Sequence, residues 1–351
     1  MFKKILIPLD GSDQSERIGG WACGLARGLG AEIVLFGVVD PDEVDLPAAR
    51  PDRDRISPTG AGQGRYDQPG VASTRGAAPG PIPSTPITGV TPSASVPDSG
   101  AYGTQMIDAA VERARRYLIS EAARVDADGG KSEIEVTVGK PAEEIVTAAE
   151  RLGVDMIAMA TRRESALARG ILGSVTDRVI HTTKLPLLVI HPESVNAFSG
   201  NSGAPSAVIV PLDGSALSES AIPAAREIAS AVGAKMLFVR STSTPYFGAA
   251  EAGMDYIPTN YGMTEIRQDA LAYLEGFVKA ARDAGLEADS RAVIGTAAGA
   301  IIDLAEENAG SLIVMSTHGR HGFKRFFLGS VTDKVVRSSG MPVLVLTSPG
   351  G

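Results

Sequence analysis

Short continuous apolar runs alternate along the chain with longer stretches in which apolar residues recur every three or four positions. Residues 5–9, 33–39, 134–138, 154–160 and 187–190 are runs of the first kind, and they predict strands buried on both faces. Ile18, Trp21, Ala22, Leu25, Ala26 and Leu29 fall at helical spacing, with Gly30 to end that helix. Val111, Ala114, Leu118 and Ala122 mark one stripe of a helix over 107–125; Pro141 opens another over 141–152, and a further one starts near Ser174. The series then recurs, with strands at 208–212, 236–239, 291–294, 312–316 and 343–346. Its helices fall at 221–232, 266–284 and 300–308, with one more from Ser330. Strands alternating with helices in this order predict the α/β class: two tandem doubly wound domains, each a five-stranded parallel sheet with helices on both faces, Rossmann-like in layout.

The recurrence is also literal. Lys4-Ile-Leu-Ile-Pro-Leu-Asp-Gly-Ser12 matches Ala207-Val-Ile-Val-Pro-Leu-Asp-Gly-Ser215, and Ile171-Leu-Gly-Ser-Val-Thr-Asp-Arg-Val179 matches Phe327-Leu-Gly-Ser-Val-Thr-Asp-Lys-Val335. A period this long means duplicated domains rather than a solenoid. The front motifs are 203 residues apart and the back motifs 156, so the first copy carries 47 additional residues between them. They fall in residues 41–104, which hold half of the 22 prolines and almost no apolar period. Such a segment cannot bury enough surface to offset its chain entropy, and it reads as a disordered insertion. It is either passive or a regulatory, partner-binding lid. The second copy has only a short equivalent at 243–262. Domain 1 is thus expected over 1–193, a small-residue linker over 194–205, and domain 2 over 206–348.

Net charge and cysteine content narrow the classes. A formal charge of −8 over 351 residues argues against coating nucleic acid, which needs clustered Lys and Arg. Cys23 is the one cysteine, so an intrachain disulfide or a cysteine-built metal site is excluded, which suits a reducing cytoplasm. The first apolar run stops at Asp10, too short for a secretory leader, and no run reaches the ~18 apolar residues of a membrane span. The expectation is a soluble cytoplasmic protein.

In open parallel sheets, ligands bind beyond the carboxyl ends of strands where strand order reverses. The candidate loops are those after the first strand (Asp10, Asp213) and after the fourth. In the second copy the latter reads Met315-Ser316-Thr-His318-Gly319, then nine residues to Gly329-Ser330-Val331-Thr332. Gly319 can adopt positive φ and bring a ligand close to its backbone. Gly329 and Ser330 open a helix whose unpaired amides favour a phosphate. Ser330 with Asp333, and Ser174 with Asp177, also read as variant capping boxes. For Asp10 and Asp213 the plain alternative is an acidic turn or helix cap. Arg320, Lys324 and Arg325 add local positive charge, either a solvated face or a complement to polyphosphate. His318 and His321 read as phosphate or solvent contacts rather than metal ligands. Gly60-Ala-Gly62-Gln-Gly64 follows no strand and is set aside, and no Gly-Lys-Ser or Gly-Lys-Thr of a P-loop occurs.

Taken together, Ile-Leu-Ile-Pro-Leu-Asp-Gly-Ser, Met-Ser-Thr-His-Gly and Leu-Gly-Ser-Val-Thr before a Pro-Val-Leu-Val strand resemble the universal stress protein family, over both copies. The resemblance implies a tandem member that binds ATP, ADP or AMP, and admits Mg2+ beside the phosphates. The family's ATP-binding members carry Gly, two residues, Gly, nine residues, then Gly-Ser or Gly-Thr. The second copy matches from Gly319 through Gly329 and Ser330, with Ser316 in place of the first glycine. The first copy reads Ala160-Thr-Arg-Arg163, then Gly173, Ser174, Val175 and Thr176. Arg163 in the loop glycine's place implies lost or altered triphosphate binding there. On the adenine side the resemblance implies Pro8, Leu9, Asp10 and Val38 in the first copy. In the second it implies Pro211, Leu212 and Asp213, with Ser241 in place of the valine. Pairing of the two domains through their final strands is implied too, with a homodimer as a further step.

The expected function is adenine-nucleotide binding in domain 2 as a stress-response switch or sensor. The residues expected to hold the ligand are Asp213, Met315, Ser316, His318, Gly319, Arg320, Gly329, Ser330, Val331 and the Thr332 hydroxyl. The competing readings are an interaction module with relic sites and a slow nucleotide hydrolase. No catalytic triad stands out in the sequence.

Overall fold

A computed structural model describes residues 1–44, 91–92, 100–161, 172–191, 204–242, 260–317 and 328–347. The strands are β1 (Lys4–Pro8), β2 (Glu32–Val39), β3 (Thr91–Pro92), β4 (Ser132–Val138), β5 (Met156–Ala160), β6 (Leu187–Ile190), β7 (Ala207–Pro211), β8 (Lys235–Thr242), β9 (Ala288–Ile294), β10 (Ser311–Ser316) and β11 (Val343–Leu346). The helices are α1 (Asp13–Leu29), α2 (Gly100–Ala127), α3 (Pro141–Arg151), α4 (Ser174–Ile180), α5 (Ala216–Glu219), α6 (Ile222–Val232), α7 (Asn260–Asp283), α8 (Ala297–Glu307) and α9 (Ser330–Ser338). All strands join one 11-stranded sheet in the order β3-β4-β2-β1-β5-β6-β11-β10-β7-β8-β9. Every neighbouring pair is parallel except β6 with β11.

The central strands are buried on both faces, as their unbroken apolar runs require: Ile5, Leu6 and Ile7 are each at most 1% exposed. Ile5 and Ile7 point into a core shared with α1, α2, α6 and α7, while Leu6 points into one shared with α3, α4, α8 and α9. Each core draws on both halves of the chain. At the seam, Leu188 pairs with Leu344 and Val189 with Val343, so the two final strands do meet, antiparallel. Arg337 of α9 reinforces the join, donating from Nη2 to Asp177 Oδ1 of α4 (2.6 Å) and from Nε to Asp333 Oδ1 (2.7 Å). His191 Nε2 lies 2.9 Å from the Val336 carbonyl, which can only accept. That nitrogen therefore carries a proton, and Nδ1 lies 3.0 Å from the Thr161 hydroxyl. On the other face α1 meets α6 at Gly28, where a Cβ would come within 2.8 Å of Val232 Cγ1.

The structure departs from the sequence reading in several places. Among the described residues the first half has six strands, because Thr91–Pro92 adds a short edge to β4 inside the segment expected to be disordered. That segment's end, from Gly100, is also the start of α2, and α7 likewise starts at Asn260, before the predicted 266. The rest of 41–104 beyond Pro41–Val44, and residues 243–259, lie outside the described residues. The helix predicted over 221–232 is α6, and an additional short helix, α5, capped at its end by Ser220, precedes it; Pro223, which has no N–H to continue the ladder, stands at the start of α6. Neither capping box forms. Gly329 and Gly173 occupy the N-caps, which places Ser330 and Ser174 inside the first turn, and Asp333 is taken by Arg337.

Cys23 borders the groove between α1 and α2. Burial, followed by the Glu121 carboxylate, pushes its thiol up to about 12 from 9.0. The folded chain keeps a proton that the unfolded chain releases, so this group's stabilisation is complete below pH 9 and is lost as pH rises toward 12. Because thiolate is the reactive form, alkylation of Cys23 at pH 8 is expected to run at least roughly a hundredfold slower than that of free cysteine. Labelling at the free-thiol rate would contradict this.

Candidate functional site

The carboxyl ends of β7, β8 and β10 converge on one cleft, at the side of the sheet covered by α8 and α9. Its first wall is the turn after β7. Leu212 N donates to the Val239 carbonyl (2.8 Å) and extends the ladder by one bond. The chain then reverses: Asp213 Oδ1 accepts from Ser215 N (2.9 Å) and Ser215 Oγ (2.6 Å), with Gly214 between them at φ 87°. Glycine is needed at that φ. Ser215 Oγ caps α5 by accepting from Ser218 N (3.1 Å). The first half repeats the device, with Asp10 Oδ1 accepting from Ser12 N (3.0 Å) and Ser12 Oγ (2.6 Å), and with Gly11 at φ 76°. In both copies, then, the aspartate builds the turn and cap; the segment that resembles a ligand-binding motif is first of all a rigid corner.

Pro211, Leu212, Asp213, Ser215, Leu217 and Ser218 line one side of the cleft. Val239 and Ser241 of β8, Ala297 and Ile301 of α8, Met315 and Ser316 of β10, and Val331 and Thr332 of α9 close it. The cleft is open to solvent and encloses about 100 Å3, walled mainly by apolar side chains. Ser241 Oγ donates to the Gly295 carbonyl (2.7 Å), so it braces the rim where the resemblance implies a valine. Ser316 Oγ lies 3.1 Å from Ser220 Oγ. The buried Thr332 hydroxyl, expected to face phosphates, instead donates to the Ser316 carbonyl (3.4 Å), tying the first turn of α9 to the end of β10. Thr176 does the same with the Ala160 carbonyl (2.8 Å) in the first half.

Gly329, at φ −62° and ψ 149°, caps α9 without any side-chain bond. The first amides of α9 have no carbonyl within the helix, so Ser330, Val331 and Thr332 present N–H groups at the positive end of the helix dipole. His318, Gly319 and Arg320 lie outside the described residues, as do His321, Lys324, Arg325 and Arg163. Of the first-copy residues, Pro8 ends β1, and Gly173, Ser174, Val175 and Thr176 form the cap and first turn of α4. Leu9, Asp10 and Val38 border a different cavity, on the α2 side of the sheet. Among the described residues, no group of three His, Cys, Asp or Glu could hold a metal ion, and no helix is long and apolar enough to cross a membrane.

Sequence reasoning missed Ser215, Leu217, Ser218, Val239, Ala297 and Ile301 as cleft residues. Ala297 and Ile301, one helical turn apart, were within reach: Gly295-Thr296 repeats the strand-to-helix junction Gly139-Lys140 of the first copy. The predicted helix began only at residue 300, which left Ala297 outside it, and Ile301 carries no polar signal of a site.

Comparison with known proteins accords with the fold. A model of the universal stress protein family matches residues 1–63, 86–191 and 206–347. A universal stress protein of Methanocaldococcus jannaschii is 31% identical over 144 residues, 40% of this chain and 82% of the relative. One of Mycolicibacterium smegmatis is 26% identical over 254 residues, 71% of this chain and 81% of the relative. The crystal structure of a universal stress protein from Archaeoglobus fulgidus superposes with a TM-score of 0.63 at 20% identity, covering 99% of this chain and 98% of that one.

Proposed function

The chain belongs to the universal stress protein family, and we propose that its second half binds ATP or a related adenine nucleotide in the cleft between β7, β8, β10 and α9, as a switch or sensor. The observation that carries the reading is the continuity of two unlike surfaces. Apolar walls from Leu212, Val239, Ala297, Ile301 and Met315 run into the uncapped start of α9. A flat, weakly polar base suits the first surface and an oxyanion the second. The enclosed space admits the edge of a base, and the sugar and phosphates would extend outward past Ser316 toward Ser330 and Val331. Each amide bond to a charged oxygen contributes roughly 1.5–3 kcal/mol, and micromolar affinity needs about −8 kcal/mol. A few such bonds together with base burial reach that figure after the costs of association.

The aspartate's part follows from its geometry. Asp213 holds the corner with Oδ1, so its contribution is to fix the turn against which the base edge rests. In this reading the chain is two tandem domains over 1–193 and 206–348, acting in the cytoplasm, with the nucleotide chiefly in the second. Titration calorimetry of the full chain with ATP tests it: the expected result is saturable binding with about one equivalent in the micromolar range. Heat of dilution alone at millimolar ATP would remove the reading.

A further inference from the structure

The two halves differ sharply on the opposite side of the sheet, the side of α2 and α7. In the second half, Arg240 of β8 lies with its guanidinium carbon 4.3 Å from the centroid of the Tyr273 ring. The Tyr273 hydroxyl donates to Glu219 (2.7 Å), and Gly214 leaves room for Arg240 Nη2. An arginine thus fills the space between the aspartate corner and α7, stacked on an aromatic ring and faced by carboxylates.

The first half repeats this arrangement with one part removed. Ile7 pairs with Leu35 as Val210 pairs with Phe238, so the position two residues further on is Gly37 in β2 and Arg240 in β8. Tyr117 precedes the fully buried Leu118 as Tyr273 precedes Leu274, and Glu16 follows Ser12 by four residues as Glu219 follows Ser215. Where the arginine would lie there is a cavity of about 360 Å3, bordered by Asp10, Gly11, Gly37, Arg113 and Tyr117. That is within the range of small-molecule sites, roughly 300–1,000 Å3. The Tyr117 hydroxyl is buried, with Ser15 as a polar neighbour but no hydrogen-bond partner of normal geometry among the described residues.

The group that fills the equivalent space in the second half indicates what the cavity takes. Burial pushes the Tyr117 hydroxyl up to about 12 against the contact with Ser15, and the carboxylates of Glu121, Glu16 and Asp10 add to the rise. Around Tyr273, burial and Glu219 act in the same direction and Arg240 opposes them. Arg113 borders the cavity from α2, exposed one turn before Tyr117. We propose that the cavity between β2 and α2 is a binding site for a small guanidinium compound, which stacks on Tyr117 and takes the place that Arg240 fills in the second half. Guanidinium groups suit it because they are planar, weakly hydrated and attracted to the ring face.

The site is separate from the nucleotide cleft, and its test does not depend on that reading. Agmatine is titrated into the full chain by calorimetry, with N-butylurea as the uncharged comparison. One equivalent of agmatine is expected to bind, and butylurea is not. Tyr117→Phe keeps the ring and should hold affinity within about threefold, whereas Tyr117→Leu should weaken it roughly tenfold or more. Gly37→Arg should abolish binding; since a Cβ at Gly37 comes within 3.3 Å of Leu118 Cδ1, its circular dichroism is checked alongside. Arg240→Gly opens the equivalent space in the second half and should add a second equivalent. Absence of agmatine binding, equal binding of butylurea, or equal affinity in Tyr117→Phe and Tyr117→Leu would overturn the proposal.

Discussion

Replacing Ala297 with tryptophan should abolish the stabilisation that ATP gives the chain while leaving the fold intact. Ala297 is the first residue of α8, partly exposed and set in the wall of the cleft. An indole there occupies the space assigned to the base without entering either core. A ligand present at 100 times its Kd raises stability by about 2.7 kcal/mol, which a melting curve resolves readily. The unsubstituted chain should show that rise in midpoint with ATP, and Ala297→Trp should show none. Its own midpoint without ATP should stay close to that of the parent, since Ala297 belongs to neither core and the Thr296 cap beside it makes no side-chain hydrogen bond to lose. An undiminished ATP shift in the variant would place the nucleotide elsewhere.

The second large effect is expected at the seam. Leu344 is fully buried and pairs directly with Leu188 of the other half, in a core that both halves share. Leu344→Asp would put a carboxylate into this apolar surround with no partner for it. Breaking a buried pair to leave an uncompensated charge costs about 3–5 kcal/mol, and the net stability of a typical domain is only about 5–15 kcal/mol. The chain should lose helical signal in both halves together, at a much lower temperature or urea concentration. Leu344→Ala, at about 2–5 kcal/mol, should shift the same single transition less far. A variant in which one half melts early and the other keeps its original midpoint would show that the halves do not share their cores in this way.

How much of this could be read from the sequence follows from what each element does. Strands buried on both faces announce themselves as unbroken apolar runs, so β1, β7, β10 and β11 were legible from Ile5, Val208, Ile313 and Leu344. Thr91–Pro92 carries no such pattern; it is a strand only because β4 offers an open edge beside it. The short α5 ahead of α6 was not read, because its four residues are too few to show a period. The seam is invisible to periodicity, since nothing in Leu188 or Leu344 says which strand lies alongside; it came from the family resemblance. At the site, the rule that ligands gather at carboxyl ends of strands pointed to Asp213, Ser316 and Val331, and the family resemblance to Pro211, all of which border the cleft. The role of Asp213 as a corner, and of Thr332 as a tie to Ser316, needed coordinates, because a side chain's partner is set by the packing of separate elements. Ala297 and Ile301 were hidden for the opposite reason: a ligand wall and a core face use the same residues. Arg240 follows the apolar run of β8 and draws no notice until it is found stacked on Tyr273.

The central claim is that the second half carries an adenine nucleotide against Leu212, Val239 and the start of α9. Native mass spectrometry of the intact chain, both as purified and with excess ATP, tests it most directly. The account predicts a species heavier by the mass of one adenine nucleotide, which disappears in Ala297→Trp. A chain that stays bare at saturating ATP would contradict it.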